Sequence, residues 1–199
     1  AEVMAFPKNA GELSDIMKVS ALLDCKPAIL GAGTNILAPD EGLAGLVICL
    51  KDCMGGMEQL DDTHIRVAAG VTMTRAALFA AGLGLSGLEF AHGIPGTVGG
   101  GVYMNAGAYG GELCQICESV DVITVDGKLE HYTCQQMEFG YRHSVLEDKG
   151  GIVTLCWHWN TSSEYARNEW WGTFYTDSTT FNLKKALSGQ DQAGYDMLI

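Results

Sequence analysis

The sequence has few basic residues: 12 Lys and Arg stand against 24 Asp and Glu, giving a formal net charge of −12 at pH 7. A protein that binds nucleic acid or an anionic membrane needs Lys and Arg to neutralise phosphates, and no basic stripe is present. We therefore expect neither partner. A small phosphorylated ligand stays open, because backbone N–H groups can bind phosphate without basic side chains.

The sequence also lacks long apolar runs. No stretch of about eighteen apolar residues occurs, so no membrane-spanning helix is predicted. The first residues, AEVMAFPKNAGEL, have neither the basic nor the apolar region of a secretory signal. Seven cysteines, an odd and scattered set, are typical of reduced thiols. These features predict a cytoplasmic location.

Several motifs of known chemistry are missing. There is no GxSxG nucleophile elbow, no P-loop and no His/Cys/Asp cluster at metal-ligand spacing, so no metal site is predicted. Cys114 and Cys117 form a CxxC without a second ligand pair, and two buried thiols explain it better than a zinc or redox site. GAGTN at residues 31–35 is not a dinucleotide fingerprint, because Ile36 stands where GxGxxG requires glycine.

What is present is apolar and rich in glycine. Hydrophobic residues make up 47% of the chain, and 26 of its 199 residues are glycine, which fits one domain or two small lobes. The first part of the chain reads as a βαβ-like unit. Its helical spacing lies at residues 12–23, and its strands are predicted at 3–6, 27–30 and 46–50.

The following residues, to about 157, read as a second lobe. Helical spacing at 72–81 ends at Gly82, which we expect to be the C-cap. Asp126-Gly127 predicts the turn of a β-hairpin. The other predicted strands of this lobe lie at 64–69, 119–125, 128–132 and 151–156. Residues 158–199 are rich in aromatic residues and carry no motif that we can assign.

Two glycine-rich segments are candidates for a binding site. The first is residues 31–35, and the second is GIPGTVGGGVYMNAGAYG at residues 93–110. Glycines let a ligand approach the main chain and its N–H groups, and the amide of Asn105 can read a polar edge. The alternative is a set of tight turns and bulges. Two such segments, far apart in the sequence, favour one large ligand that both contact.

The tetrapeptide YRHS at residues 141–144 is the other group of candidate functional residues. Arg142 could clamp a carboxylate or stabilise a developing enolate. A surface ion pair with Glu138 or Glu147 is the alternative. His92 and His143 are candidate acid/base groups, although single histidines are more often ordinary surface or core residues.

Four longer stretches carry a family resemblance: GAGTN from Gly31, DEGLAGLVI from Asp40, GLSGLEFAHGIPGTVGGGVYMNAGAYGGEL from Gly84 and FGYRHS from Phe139. In order and spacing they resemble the bacterial UDP-N-acetylenolpyruvoylglucosamine reductases (MurB), FAD enzymes of peptidoglycan synthesis. The resemblance implies the α+β, two-subdomain FAD-binding fold of the vanillyl-alcohol-oxidase-like flavoproteins. A small α/β subdomain would occupy residues 1–52, a larger one residues 53–157, and FAD would lie between them.

The resemblance also implies a site. NADPH would deliver hydride to FAD, and the reduced flavin would pass it to the enolpyruvyl group of a UDP-sugar. Arg142 would stabilise the enolate-like intermediate, and we expect a monomer. The residues implied to contact FAD are Gly31, Ala32, Gly33, Thr34, Asn35, Gly93, Ile94, Pro95, Gly96, Thr97, Gly99, Gly100, Asn105, Ala106 and Gly107, with Ile152 flanking the flavin.

After Cys156 the sequence departs from the family pattern. The family's third domain has a GS-x-F-K-like segment, whose serine protonates the intermediate, and a glutamate near the C-terminus; residues 158–199 show neither. Three hypotheses remain: a reductase with a truncated or rearranged chain, an FAD-binding module without turnover, or an interaction protein that keeps the fold without flavin. The intact glycine segments make the third the weakest.

Overall fold

The computed structural model describes residues 1–51, 53–159, 175–176 and 179–180. Within these residues the chain forms a small parallel sheet and a larger antiparallel sheet, with helices between the strands in the sequence. This is the α+β architecture that the sequence predicts. Most of the segment 158–199, to which the sequence assigns no motif, lies outside the described residues.

The small sheet lies in the first part of the chain. Its elements are β1 (Val3–Ala5), α1 (Ala10–Leu22), β2 (Ala28–Leu30) and β3 (Leu46–Cys49). Strand β3 is central and pairs in parallel with both β1 and β2, a place that suits its entirely apolar sequence. Asn9 begins α1 by accepting a hydrogen bond from the Glu12 N–H at 2.9 Å. The predicted βαβ-like unit is confirmed.

The α-helices and strands after β3 are, in chain order, β4 (Met57–Gln59), β5 (Ile65–Ala68), α2 (Met73–Gly82), α3 (Val98–Tyr103), β6 (Gly107–Ala108), β7 (Gly111–Glu112), β8 (Cys117–Ile123), β9 (Leu129–Thr133), α4 (Val145–Lys149), β10 (Ile152–Trp159), β11 (Tyr175–Thr176) and β12 (Thr179–Thr180). The larger sheet has the order β4-β5-β10-β8-β9, and every neighbouring pair is antiparallel. The hairpin predicted at Asp126-Gly127 is confirmed as β8 and β9.

The end of α2 differs from the prediction. Gly82 is the last residue of the helix and Leu83 is its C-cap, so the assignment of Gly82 as the C-cap is wrong. Gly84 takes the left-handed conformation (φ +75°), and the Leu85 N–H returns to the Ala80 carbonyl at 2.9 Å. This is a Schellman ending, which places the glycine two residues later than the sequence pattern indicates.

The core lies where the helices meet the larger sheet. Helix α3 packs on β5 and β10, and α1 reaches β8. Val98 and Val102, one turn apart on α3, are both fully buried there. Among the described helices, none combines the length and hydrophobicity that a membrane span requires.

Candidate functional site

The two glycine-rich segments, distant in sequence, contact each other in the structure. Residues 31–35 follow β2 at the carboxyl edge of the small sheet, and residues 93–97 lead into α3. The Thr34 hydroxyl donates a hydrogen bond to the Pro95 carbonyl at 3.2 Å. A Cβ atom added to Gly31 would lie 2.8 Å from Thr97 Oγ1, so this approach requires glycine. We call the two segments together the cradle.

The cradle offers backbone donors that the protein does not use. Within the described residues, the N–H groups of residues 31–35 donate no hydrogen bond, and Gly33, Thr34 and Asn35 are exposed. Gly96 adopts φ +131°, which side-chain-bearing residues rarely adopt. Unused N–H groups on glycine-rich turns are the donors that bind phosphate oxygens. The cradle therefore fits the pyrophosphate of a dinucleotide such as FAD.

The glycines of α3 do not all face the cradle. The Gly99 N–H donates to the Ala69 carbonyl at 2.9 Å, and a Cβ atom on Gly99 would lie 2.8 Å from the Ala69 Cβ. Gly101 likewise lies against Met73. Gly99, expected among the ligand contacts, is thus a packing glycine. Gly100 is exposed and has only Thr97 near it, so it alone of the three leaves room for a ligand.

A cleft of about 190 Å³ opens beyond the other end of α3, where the short β6–β7 hairpin faces the turn that carries Arg142. The Arg142 guanidinium donates to the Gly107 carbonyl at 3.1 Å and lies 5.9 Å from the centroid of the Tyr141 ring. Both side chains are exposed, which leaves the guanidinium open to an anionic group. The residues that line this cleft are Asn105, Gly107, Ala108, Tyr109, Gly110, Gly111, Glu112, Tyr141 and Arg142.

The backbone around this cleft is strained. Five described residues other than glycine have positive φ, and three of them, Asn105 (+45°), Tyr109 (+54°) and Arg142 (+54°), line the cleft. Each such residue costs on the order of 1 kcal/mol and persists where its surroundings hold it in place. This concentration of strain indicates a functional site, and the cleft contains the arginine that the sequence selects.

Five of the expected FAD contacts are buried in the structure. Ala106 and Ile152 belong to the hydrophobic core, and Thr97, Gly99 and Asn105 are also buried. The amide of Asn105 was expected to read a polar edge of a ligand, but it bonds to Glu112, Gly140 and Cys114 instead. The remaining expected contacts lie in the cradle or at the cleft, except Gly100, which is exposed on α3.

The two histidine candidates lie apart from the cleft lining. His92 precedes the second cradle segment, and its burial lowers the pKa of the imidazole. His143 follows Arg142, but its Nδ1 contacts Glu147 Oε2 on α4 at 2.7 Å. Neither is placed to exchange a proton at the cleft. In the described part of the chain, no set of three or more His, Cys, Asp or Glu side chains is arranged to hold a metal.

Glu112 is a cleft residue that the sequence pattern did not single out. Its carboxylate lines the cleft with Arg142, and its Oε2 accepts a hydrogen bond from Asn105 Nδ2 at 2.9 Å. The sequence signal was the pair of glycines at 107 and 111, whose spacing suits a tight hairpin with Glu112 on its second strand. A Cβ atom on Gly107 would lie 2.7 Å from Glu112 Cγ, so the two strands can approach only with glycine there.

Comparison with family models gives two matches. Residues 1–133 match the FAD binding domain model, which covers more than half of the chain. Residues 118–199 match the model of glycosyl hydrolase family 26. The two matches overlap at residues 118–133, within β8 and β9.

Comparison with curated proteins finds relatives that match about three quarters of this chain. A UDP-N-acetylenolpyruvoylglucosamine reductase from Lactobacillus helveticus is 44% identical over 153 residues, 77% of this chain and 51% of the relative. The protein of that name from Bacillus subtilis is 42% identical over 155 residues, 78% of this chain and 51% of the relative. The chain spans about half the length of the curated relatives it matches.

Among solved structures, UDP-N-acetylenolpyruvylglucosamine reductase from Thermus caldophilus superposes with a TM-score of 0.63 at 34% identity, covering 79% of this chain and 56% of the other. p-Cresol methylhydroxylase superposes with a TM-score of 0.57 at 16% identity, covering 79% and 35%. At that identity the second match shows the fold alone.

Proposed function

The chain belongs to the FAD-binding domain family, and from that premise we propose that it binds FAD in the cradle and serves as the flavin-binding part of a UDP-N-acetylenolpyruvoylglucosamine reductase. The observation that carries the proposal is the contact between residues 31–35 and 93–97, with unused N–H donors on the first segment. The 40–44% identity to reductases over 153 residues of the chain supports it.

Different residues of this chain would bind the cofactor and stabilise the reacting group. When bound, FAD would supply hydride transfer between NADPH and the enolpyruvyl group of a UDP-sugar. The cradle would hold the pyrophosphate through backbone N–H groups, with Gly96 and Gly100 leaving room for the cofactor. Arg142 would pair with the substrate carboxylate and stabilise the negative charge that develops beside it. We further propose that the chain acts as a monomer in the cytoplasm, with subdomains at residues 1–52 and 53–157.

A second candidate is an FAD-binding module without reductase turnover. It is favoured by the match of residues 118–199 to a glycosyl hydrolase model rather than to a reductase domain. Both candidates require the cradle to bind FAD, and they differ only in whether the reduced flavin passes its hydride to the UDP-sugar. A third hypothesis, an interaction protein without flavin, predicts a protein that stays colourless in the presence of FAD.

The test is a sequence of spectra on the full chain. Protein incubated with FAD and passed over a desalting column should retain flavin absorbance, and anaerobic NADPH should bleach it. Addition of enolpyruvyl-UDP-GlcNAc should then restore the oxidised spectrum. Bleaching without restoration by the UDP-sugar would favour the module, and absence of bound flavin would contradict both flavin candidates.

Arg142→Ala separates cofactor binding from turnover. Because the guanidinium lies at the cleft and not in the cradle, we expect FAD affinity within about twofold of wild type, while the reoxidation rate falls by about 10²–10³-fold, the usual effect of losing one charge-stabilising donor. Arg75→Ala, which removes an exposed arginine on α2, is the matched control and should leave both quantities unchanged. Loss of flavin in Arg142→Ala alone would contradict the role proposed for Arg142.

A further inference from the structure

We infer that Asn105 is a positioning residue: its side chain holds both Glu112 and the Arg142 turn at the cleft and makes no contact with the ligand. The geometry of this inference rests only on hydrogen bonds within the protein, whereas its consequence for turnover rests on the proposed function. The positioning role and the proposed function can therefore fail separately.

The amide of Asn105 is buried, with 2% of the residue exposed, and each of its polar atoms has a protein partner. Nδ2 donates to Glu112 Oε2 and to the Gly140 carbonyl, both at 2.9 Å. Oδ1 accepts from the Cys114 N–H at 3.0 Å. The partners also fix the orientation of the amide, since two of them can only accept and the third can only donate. Both amide protons are therefore used before any ligand arrives.

The Gly140 bond controls the turn that carries Arg142. Gly140 and His143 pair through two backbone hydrogen bonds of 3.0 and 3.3 Å, with Tyr141 and Arg142 between them. Asn105 anchors the first end of this turn through the Gly140 carbonyl. The Arg142 guanidinium closes the arrangement by donating to the Gly107 carbonyl, two residues after Asn105. Arg142 is thus attached to the segment 105–107 twice: its turn is held through Gly140, and its guanidinium is held by the Gly107 carbonyl.

The Glu112 bond holds a second part of the cleft lining in place. The carboxylate of Glu112 lines the cleft on β7, and the Asn105 N–H neutralises part of its charge. The third bond, to the Cys114 N–H, holds the chain just after β7. One buried amide therefore sets the spacing between an acidic group and a basic group that face the same cleft.

Aspartate is the informative replacement at this position. Asn105 has φ +45°, and asparagine and aspartate are the side-chain-bearing residues that best tolerate this conformation. The substitution N105D keeps the shape and the acceptor for Cys114, but it places a carboxylate oxygen against two acceptors. The repulsion raises the pKa of the introduced carboxyl group. The cost is therefore smallest at low pH, where the protonated group can donate one of the two bonds, and it grows as pH rises.

The first measurement is the melting temperature, Tm, of wild type, N105D, E112Q and N105D/E112Q between pH 5 and pH 8, with FAD present. For N105D we expect a Tm loss of about 6–12 °C at pH 8 that shrinks towards pH 5. E112Q turns the opposing acceptor into a donor, so the double variant should recover part of the loss and depend less on pH. Asn9→Asp, the same change at an exposed helix cap, is the control and should leave Tm nearly unchanged.

The second measurement reports on Arg142 directly, which a purely structural role would leave unchanged. The full chain with FAD is treated with phenylglyoxal at pH 8, and modification is quantified by peptide mass spectrometry, with Arg75 as the internal reference. Loss of the Gly140 bond should make Arg142 react about fivefold faster in N105D, the factor that corresponds to one lost hydrogen bond. N105D/E112Q should keep this faster rate, because the Gly140 carbonyl still lacks its donor.

The outcomes decide between the two roles. A pH-dependent Tm loss together with faster Arg142 modification supports the positioning role. A Tm loss with Arg142 reactivity equal to that of wild type would assign Asn105 to the core alone, and an N105D Tm equal to that of wild type at pH 8 would show that the bonds do not matter; either result overturns the inference. Neither measurement uses the UDP-sugar, so they stand even if wild type fails the turnover test.

Discussion

At the residue scale, Glu89 carries a buried carboxyl group of which one oxygen has no hydrogen-bond partner in the described part of the chain. It lies before the second cradle segment and is 8% exposed. Its Oε2 accepts the Gly87 N–H at 2.7 Å, while Oε1 is the one buried side-chain oxygen or nitrogen in the described part without a partner. Burial raises the pKa of this carboxyl group, because the charged form loses water that no donor replaces.

Glu89→Gln should therefore stabilise the protein at high pH. A carboxyl group whose pKa is raised on folding favours the folded state only while it is protonated, so its penalty grows as pH rises above the unfolded value of 4.5. We expect Tm to rise by about 2–6 °C at pH 8 and the gain to vanish near pH 4. The exposed Glu41→Gln is the control for loss of one negative charge. A gain independent of pH would contradict the assigned cause.

At the element scale, α3 shows how tertiary packing overrides local preference. Its sequence, VGGGVY, has three consecutive glycines and a low helix propensity. The segment is helical because Val98 and Val102 are buried on one side and because Gly99 lets the helix contact Ala69. The sequence shows the glycines but not the surface they pack against, so it could not distinguish Gly99, which packs on Ala69, from Gly100, which is exposed.

Alanine substitutions within α3 should separate packing from ligand approach. A Cβ atom on Gly99 overlaps Ala69, so Gly99→Ala should lower Tm by about 4–10 °C, as expected for overpacking of about 1–3 kcal/mol. Gly100→Ala meets open space and should leave Tm unchanged or raise it by up to about 3 °C, because alanine favours the helix. Under the proposed function, Gly100→Ala should nonetheless weaken FAD binding. Equal Tm values for the two variants would contradict the packing described for α3.

Local signals predicted several of the other elements. The helical spacings at residues 12–23 and 72–81 correspond to α1 and α2, and Asp126-Gly127 forms the expected turn. These features depend on residues within a few positions of one another, so the sequence contains them directly. The role of Asn105 depends on Gly140, a partner 35 residues away. Spacing could therefore identify the cradle and Arg142, but not the hydrogen bonds that position the arginine.

At the scale of the whole molecule, hydrogen bonds connect the first part of the chain, which holds the small sheet, to the larger lobe. In the cradle, Thr34 bonds to Pro95. Where α1 contacts the β8–β9 turn, the Ser14 hydroxyl donates to the Gly127 carbonyl. A ligand that bridges the cradle would add a further connection. Ligand binding would then raise the free energy of unfolding of both lobes, because a ligand that binds only the folded state stabilises that state.

FAD should consequently stabilise and order both cradle segments together. At a hundredfold excess over its Kd, a ligand contributes about 2.7 kcal/mol, so we expect Tm to rise by about 5–10 °C. Hydrogen exchange should slow in residues 31–35 and at the N–H groups of Gly93, Gly96 and Thr97, because under the proposed function both segments contact one cofactor. Peptides from β9, an edge strand remote from the cradle in the sheet order, serve as the unaffected reference. Protection confined to one segment would mean that FAD does not bridge the cradle, and would place the pyrophosphate on that segment alone.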